Sequence, residues 1–330
     1  MTVKPSTDSQ SPLIERQVGA AVLMGGIGEE RDISIQSGSC VAQALKEAGL
    51  NVAAYDVGPD NLDVLEDGSI DVFFLALHGR FGEDGQLQQI LEDKKLCYTG
   101  SGPKASKLAF DKLAAKQCFI EADIATPKGI AFDVNATPKE LEKQLIRLSN
   151  KFVVKPVCQG STIGVTIVDN PKSALAEARK CSAKFGDCMI EEYIPGREIT
   201  VGMLLGRVLP IIEIKSKTGF YDYHAKYIDE RTQFLFDTIR DRSLIKKIEA
   251  AAIKCFNALG LRHFARIDFI LSYDGTAYAL EANSIPGLTS HSLLPKAAAR
   301  TGLSMSDLCI KIIEAALANK KPTYHSRKSK

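Results

Sequence analysis

Between Phe264 and Asn283 the chain reads as two strand-like runs, Phe264 to Leu271 and Ala277 to Asn283, flanking Tyr273-Asp274-Gly275-Thr276. Asp-Gly between such runs is the strong local signal for a β-hairpin closed by a two-residue turn. With Asp274 and Gly275 as the central pair, the register follows for the whole hairpin: Asp268 faces Glu281, and Arg266 faces Asn283. Side chains alternate along a strand, so all four lie on one face. Like charges directly opposite each other destabilise a sheet unless something compensates. Two carboxylates beside an amide form a hard-oxygen ligand set suited to Mg2+ or Mn2+. Arg266 beside them points to phosphoryl chemistry, because a guanidinium and a metal together clamp developing anionic charge. The competing reading is a solvated face whose carboxylates repel weakly through water.

The rest of the chain places this hairpin in a larger α/β setting. Gly19 to Met24 is a short apolar run ending in Gly25-Gly26. A helical stretch, Val41 to Ala48, is closed by Gly49, and strands follow at Asn51 to Tyr55 and Asp71 to Leu77. That alternation argues for a parallel sheet wound with helices. Thr137-Pro138-Lys139-Glu140 has the form of a capping box with proline at the first helical position, opening a helix to Leu148. Phe152 to Val154 reads as a strand, Asn170-Pro171 as a helix start, and Cys188 to Ile194 as a strand. Strands near Ile199 to Leu205 and Val208 to Ile214 precede a helix, Leu244 to Leu259, stopped by Gly260. The pattern is α/β followed by α+β.

Several loops have the composition of binding elements. Lys155 ends an apolar strand and is followed by Gln159-Gly160-Ser161-Thr162-Ile163-Gly164, a loop that can cover a nucleotide's phosphates with backbone N–H groups, hydroxyls and a cation. It is not a Walker A loop. Gly25-Gly26-Ile27-Gly28 fails the dinucleotide spacing, and Glu29-Glu30 stand where a pyrophosphate would sit, so this helix start is better placed to hold an ammonium group. His78 lies in a polar glycine loop after a buried strand, at the carboxyl end where open α/β sheets collect ligands. Phe220 to Tyr227 mixes aromatics and charges without a clean period and reads as a lid.

Charge narrows the partners. The 330 residues hold 42 Lys+Arg against 40 Asp+Glu, but five of those cations lie between Lys320 and Lys330. Without that tail the body is mildly acidic, so no nucleic-acid stripe is expected. No apolar run reaches the roughly 20 residues that cross a bilayer, and the Ser-, Thr- and Pro-rich start is no secretory signal. The eight cysteines form no C-x-x-C pair and read as reduced thiols of a cytoplasmic protein.

Taken together, the motifs resemble the ATP-grasp enzymes, and among them the D-alanine–D-alanine ligases. The matching stretches are L-M-G-G-I-G-E-E-R-D-I-S (23–34), A-L-H-G-R-F-G-E-D-G (76–85), Y-T-G-S-G (98–102), V-K-P-V-C-Q-G-S-T-I-G (154–164), I-E-E-Y-I-P-G-R-E (190–198), F-Y-D-Y-H-A-K-Y (220–227), R-I-D (266–268) and L-E-A-N-S-I-P-G-L-T-S-H-S-L (280–293). They run in consistent order from about residue 18 to 315. The resemblance implies an ATP-grasp fold with an N-terminal Rossmann-like parallel-sheet domain. The divisions expected are a disordered arm (1–16), an N-terminal α/β domain with the first D-alanine subsite (17–100), a central ATP-grasp subdomain (101–191), a C-terminal ATP-grasp domain (192–318) and a basic tail (319–330).

The implied activity joins two D-alanines at the expense of ATP through a D-alanyl phosphate, supplying a peptidoglycan precursor. In that reading Glu30 holds the ammonium of the first D-alanine, with His78 beside it. Lys112, Lys155, Glu191, Ile194 and Glu198 bind ATP, and Lys226 reaches its terminal phosphates. Ser161 and Tyr227 join Glu30 in a hydrogen-bonded set that closes the lid. Asp268, Glu281 and Asn283 carry two Mg2+ (or Mn2+), in agreement with the register argument. Arg266 and the Gly287 N–H form the oxyanion hole, while Ser292 and Leu293 hold the second D-alanine's carboxylate. Similar ligases imply a homodimer without a nucleic-acid or membrane partner.

Tyr227 goes with an amine as second substrate in this family, where phenylalanine goes with D-lactate. Departures from the usual pattern are Gly28 in place of serine, Val157-Cys158-Gln159 before the phosphate loop, and His224 where glutamate is common. Three rivals remain: a related ligase with D-serine or D-lactate as second substrate, a nucleotide-binding regulatory module without turnover, and a dinucleotide oxidoreductase built on Gly25 to Gly28.

Overall fold

The computed structural model describes residue 13 and residues 17–215 and 232–319. The lid residues Lys226, Tyr227 and His224, most of the N-terminal arm and the basic tail lie outside the described residues.

The N-terminal segment builds a three-stranded parallel sheet in the order β2-β1-β3, from β1 (Gly19–Gly25), β2 (Asn51–Val57) and β3 (Val72–Leu75). The helix between β1 and β2, α1 (Arg31–Glu47), begins well before the apolar period at Val41. Its first half buries Ile33, Ser34, Ser37 and Gly38. Small residues are needed there because the helix lies hard against β1: a Cβ at Gly38 would come within 2.5 Å of the Met24 side chain. Hydrophobic periodicity misses such a face, since serine and glycine register as polar.

Three short helices follow, α2 (Gln86–Asp93), α3 (Pro103–Phe110) and α4 (Lys112–Glu121). Asp111 caps α4, its side chain accepting from the amides of Leu113 and Ala114 at 3.0 Å. A four-stranded antiparallel sheet then forms from β4 (Gly129–Ala131), β5 (Phe152–Pro156), β6 (Thr166–Val168) and β7 (Cys188–Glu192), in the order β4-β7-β5-β6. It carries α5 (Pro138–Leu148) and α6 (Pro171–Phe185). The capping box at Thr137 and Glu140 is formed as the sequence requires.

The third sheet is antiparallel, in the order β11-β10-β8-β12-β13, with β9 paired to β8. Its strands are β8 (Gly196–Leu204), β9 (Arg207–Val208), β10 (Ile212–Lys215), β11 (Gln233–Phe236), β12 (Phe264–Ser272) and β13 (Ala277–Asn283). The run Val208 to Ile214, expected as one strand, is split into β9 and β10; Pro210 between them has no amide to give a ladder. The helices α7 (Arg242–Ala258), α8 (Leu293–Arg300) and α9 (Met305–Ala318) complete the chain.

The hairpin corrects one expectation and keeps its consequence. The turn is not two residues long: the Gly275 amide donates to Ser272 O at 3.1 Å and the Ser272 amide to Thr276 O at 2.9 Å, leaving Tyr273, Asp274 and Gly275 as a three-residue loop. Gly275, at φ +87°, takes the left-handed position such a loop needs. The pairs nearest the loop are Leu271 with Ala277 and Phe269 with Ala279, one residue out of step with a two-residue turn. A bulge at Leu280 then inserts a residue and restores the register, so that Asp268 faces Glu281 and Arg266 faces Asn283.

Three apolar cores hold these layers. One joins the parallel sheet to α8 and α9, including Phe74, Leu294, Ile312 and Ile313. Ser306 at the start of α9 donates to Ala44 O of α1 at 2.8 Å. A second packs α3, α4 and α7 on the six-stranded sheet, and a third lies between the four-stranded sheet and α5 and α6. Among the described residues no helix is long and apolar enough to cross a membrane, and all eight cysteines are free.

Candidate active site

Two adjoining cavities lie where the layers meet. The larger, about 360 Å³, is walled by β5, β6 and β7 on one side and by β8, β10, β12 and β13 on the other. Lys112, Lys155, Glu191, Ile194, Glu198, Asp268 and Glu281 all line it, which brings together every residue assigned to ATP or metal from the sequence except Asn283 and the undescribed Lys226. The smaller, about 90 Å³, is lined by Glu30, His78, Ser161, Arg266, Asn283, Gly287, Ser292 and Leu293. Apart from Asn283, expected as a metal ligand, and Ser161, expected in the lid-closing set, these are the expected substrate and oxyanion residues, drawn from segments that are far apart in sequence.

In the larger cavity, Glu191 sits between two lysines. Its carboxylate pairs with Lys155 Nζ and with Lys116 Nζ, each at 2.7 Å, and it is 2% exposed. Burial pushes this carboxyl up, but the two ammonium groups more than offset that and hold it below the ordinary glutamate value. Burial weighs most on Lys116 and lowers it, although Glu191 opposes that shift. Lys116 was not singled out from the sequence; its spacing of four from Lys112 on one helix was the available signal.

Lys112, the first residue of α4, ties the phosphate loop to the hairpin. Its Nζ donates to Gln159 O at 2.6 Å and pairs with Glu281 Oε2 at 3.1 Å. Burial opposes its charge, but Glu281 and Glu30 raise it above the usual lysine value. Asp268 is held from three sides. Arg266 donates Nε and Nη2 to its two oxygens at 2.9 and 2.8 Å, Thr200 Oγ1 donates at 2.5 Å, and Asn283 Nδ2 at 3.1 Å. Thr200 faces Asp268 across the β8–β12 ladder and is a partner that the sequence did not disclose.

The smaller cavity is organised around Glu30 at the start of α1. Ser161 Oγ donates to Glu30 Oε1 at 2.5 Å. The carboxylate is wedged between two glycines: a Cβ at Gly79 would meet Oε2 at 2.8 Å, and one at Gly160 would meet Oε1 at 2.7 Å. Ser161 and Thr162 have φ of +55° and +62°, backbone strain of the kind concentrated at ligand sites. His78 is buried, and burial drives its imidazole down to about 4, so it is neutral at physiological pH. Ser292 caps α8 without spending its hydroxyl on the helix; Thr289 N donates to its Oγ at 3.0 Å. Leu293, the first residue of α8, lines the cavity beside Ser292, and the first amides of a helix have no partner within it.

Glu83, within the stretch A-L-H-G-R-F-G-E-D-G, also lines the smaller cavity. Its Oε2 accepts from Gly79 N at 2.9 Å and its Oε1 from Ile285 N at 3.3 Å. Burial, reinforced by the nearby charge of Glu30, raises its carboxyl to about 8.

A nucleotide-sized cleft between two antiparallel sheets, with buried lysines on one wall and an acid pair on the other, defines an ATP-grasp enzyme. Family models agree with that geometry and narrow it: the D-ala D-ala ligase C-terminus matches residues 120–314, and the D-ala D-ala ligase N-terminus matches residues 62–101. The D-alanine--D-alanine ligase of Syntrophotalea carbinolica is 40% identical over 305 residues, covering 92% of this chain and 98% of that protein. The crystal structure of D-alanine--D-alanine ligase from Bacillus anthracis complexed with ATP superposes with a TM-score of 0.81 at 31% identity, covering 92% of this chain and 98% of that one. The VanG D-Ala:D-Ser ligase from Enterococcus faecalis gives 0.79 at 27% identity, over 91% and 99%. The chain belongs to the D-alanine–D-alanine ligase family.

Proposed function

We propose that the protein couples ATP cleavage to the joining of two D-alanines, forming D-alanyl-D-alanine for peptidoglycan precursor synthesis in the cytoplasm. The observation that carries this reading is the junction of the two cavities. Arg266 and Asp268 are locked together at 2.8 Å, with Asp268 lining the nucleotide-sized cavity and Arg266 the small one.

The residues divide the work as follows. The lysines Lys112 and Lys155 neutralise phosphate charge, and Ile194 and Glu198 line the nucleotide cavity with them. Glu30 binds the ammonium of the first D-alanine, which leaves its carboxylate directed towards the terminal phosphate. Attack of that carboxylate on the γ-phosphorus gives D-alanyl phosphate and ADP. The second D-alanine docks its carboxylate at Ser292 and the Leu293 amide, and its amine attacks the acyl carbonyl. The oxyanion that forms is met by Arg266 and the Gly287 N–H, and phosphate leaves as the amide bond closes. Holding the reactants in line and stabilising charge supply most of the rate enhancement in such a scheme.

Asp268, Glu281 and Asn283 present two carboxylates and an amide oxygen, a donor set that fits Mg2+ or Mn2+. Ions held there would neutralise the phosphate oxygens of ATP. The divisions of the chain at about residues 100 and 191, and a homodimeric state, belong to the same reading and rest on the family resemblance.

Phosphate release from ATP and Mg2+ tests the function, comparing D-alanine, L-alanine, and D-alanine mixed with D-serine or D-lactate, with chromatographic identification of the product. Phosphate release with D-alanine alone and a D-Ala–D-Ala product are expected. Faster formation of the mixed dipeptide or of the D-lactate ester would replace this reading with that of a related ligase.

A further inference from the structure

The segment after β13, Ser284 to Leu288, contains the Gly287 amide and is held from outside its own domain. Glu83 Oε1 accepts from Ile285 N at 3.3 Å, and Ser37 Oγ accepts from Leu288 N at 3.2 Å. Both groups come from the N-terminal parallel-sheet layer. They grip the segment on both sides of Pro286-Gly287.

Ser37 has an unusual place among them. It is fully buried in the middle of α1, where a serine hydroxyl ordinarily bonds back to a carbonyl of its own helix. Its Oγ instead spans two other elements, His78 Nε2 at 3.1 Å and Leu288 N at 3.2 Å. An amide can only donate, so Ser37 accepts from Leu288. Between Ser37 Oγ and His78 Nε2 the donor is set by the tautomer of the neutral imidazole, and the contact joins the two residues in either case.

We infer that Ser37 is a positioning residue for ligation, holding the Gly287–Leu288 backbone in register with the first-substrate subsite through His78. The inference rests on the ligase reading, in which Gly287 N–H faces the developing oxyanion. Ser37 lines neither cavity, whereas Gly287, which it helps to hold, lines the smaller one. Through it the loop that stabilises charge and the imidazole beside the first D-alanine are set by a single hydroxyl.

The test compares wild type with Ser37→Ala by steady-state kinetics, thermal melting and amide hydrogen exchange read at Leu288. Losing an acceptor for a buried amide is expected to lower kcat about tenfold and to speed exchange at Leu288, with KM for ATP within about twofold of wild type. Ser37→Cys keeps the size but offers only a weak acceptor, so it shows the same direction if the alanine variant fails to fold. Unchanged Leu288 exchange overturns the inference, as does a loss of kcat matched by an equal loss in ATP binding. Wild type that releases no phosphate with D-alanine removes the ligase reading instead, and the exchange comparison still decides whether Ser37 holds the loop.

Discussion

Ser161 and Glu30 are 131 residues apart in the chain and share a buried hydrogen bond of 2.5 Å, Ser161 Oγ donating to Glu30 Oε1. The bond ties the loop of Gln159 to Gly164 to the start of α1, which in the proposed function are the phosphate loop and the ammonium site of the first D-alanine, so the two subsites are positioned together. A hydrogen bond to a charged group contributes about 1.5–3 kcal/mol. Ser161→Ala is therefore expected to lower kcat/KM for the first D-alanine by about tenfold to a hundredfold. Initial rates with D-alanine varied at saturating ATP measure it.

Glu83 gives the protein a pH dependence of stability with a definite sign. Its carboxyl is raised to about 8 in the folded protein, from an ordinary 4.5, because burial and the charge of Glu30 disfavour ionisation. Between these values the folded state holds a proton that the unfolded state has released, so stability falls as pH rises from about 4.5 to 8 and is flat above that for this group. Glu83→Gln cannot ionise and removes this slope. Urea midpoints at pH 5 and pH 8 should shift in favour of the variant at the higher pH. An unchanged difference between the two proteins would show that Glu83 titrates normally.

Glu191 between Lys116 and Lys155 predicts an order of severity rather than a single effect. Lys116→Met leaves one carboxylate facing one ammonium, still paired at 2.7 Å through Lys155. Glu191→Gln strands two buried cations without a counter-charge. Breaking a buried pair from one side typically destabilises by about 3–5 kcal/mol, so Glu191→Gln should reach that range and Lys116→Met should fall below it. Denaturant unfolding of the two variants, followed by calorimetric titration with ATP, orders them.

The hairpin and the substrate loop show how far sequence carries such a site. The facing of Asp268 and Glu281 was legible from the Asp-Gly turn, although by a cancellation: the loop is a residue longer than that signal implies, and the Leu280 bulge absorbs the difference. Bulges leave little trace in a single sequence because any residue can be the extra one. Glu30 and Lys155 were legible because they sit in dense motifs at element ends, and Arg266 through the hairpin register that sets it opposite Asn283. Ser37, Thr200, Lys116 and the role of Glu83 were not. Each acts on a partner brought close only by tertiary folding, such as Leu288 for Ser37 across 251 positions. A serine inside a helix carries no local sign that its hydroxyl serves a segment of another layer.

Gly160 offers a test of whether the phosphate loop must press on Glu30. Its backbone is not in the left-handed region, so alanine is conformationally acceptable there. The obstacle is space, since a Cβ at Gly160 would stand 2.7 Å from Glu30 Oε1 and 2.9 Å from Oε2. Real Cβ atoms do not approach that closely, so in Gly160→Ala either the loop or the carboxylate must withdraw. Both routes disturb the Ser161–Glu30 bond and, in the proposed function, the ammonium subsite, while Lys155, held by Glu191, keeps its place in the nucleotide cavity. We expect KM for the first D-alanine to rise about tenfold, with ATP binding in the absence of D-alanine changed by less than about threefold. Because Gly160→Ala and Ser161→Ala remove the same contact, the double variant should be little worse than the more damaged single one, the coupling expected of neighbours that share one interaction. Fully additive losses would show that the two residues act through separate contacts, and that Gly160 is needed for something other than the approach to Glu30.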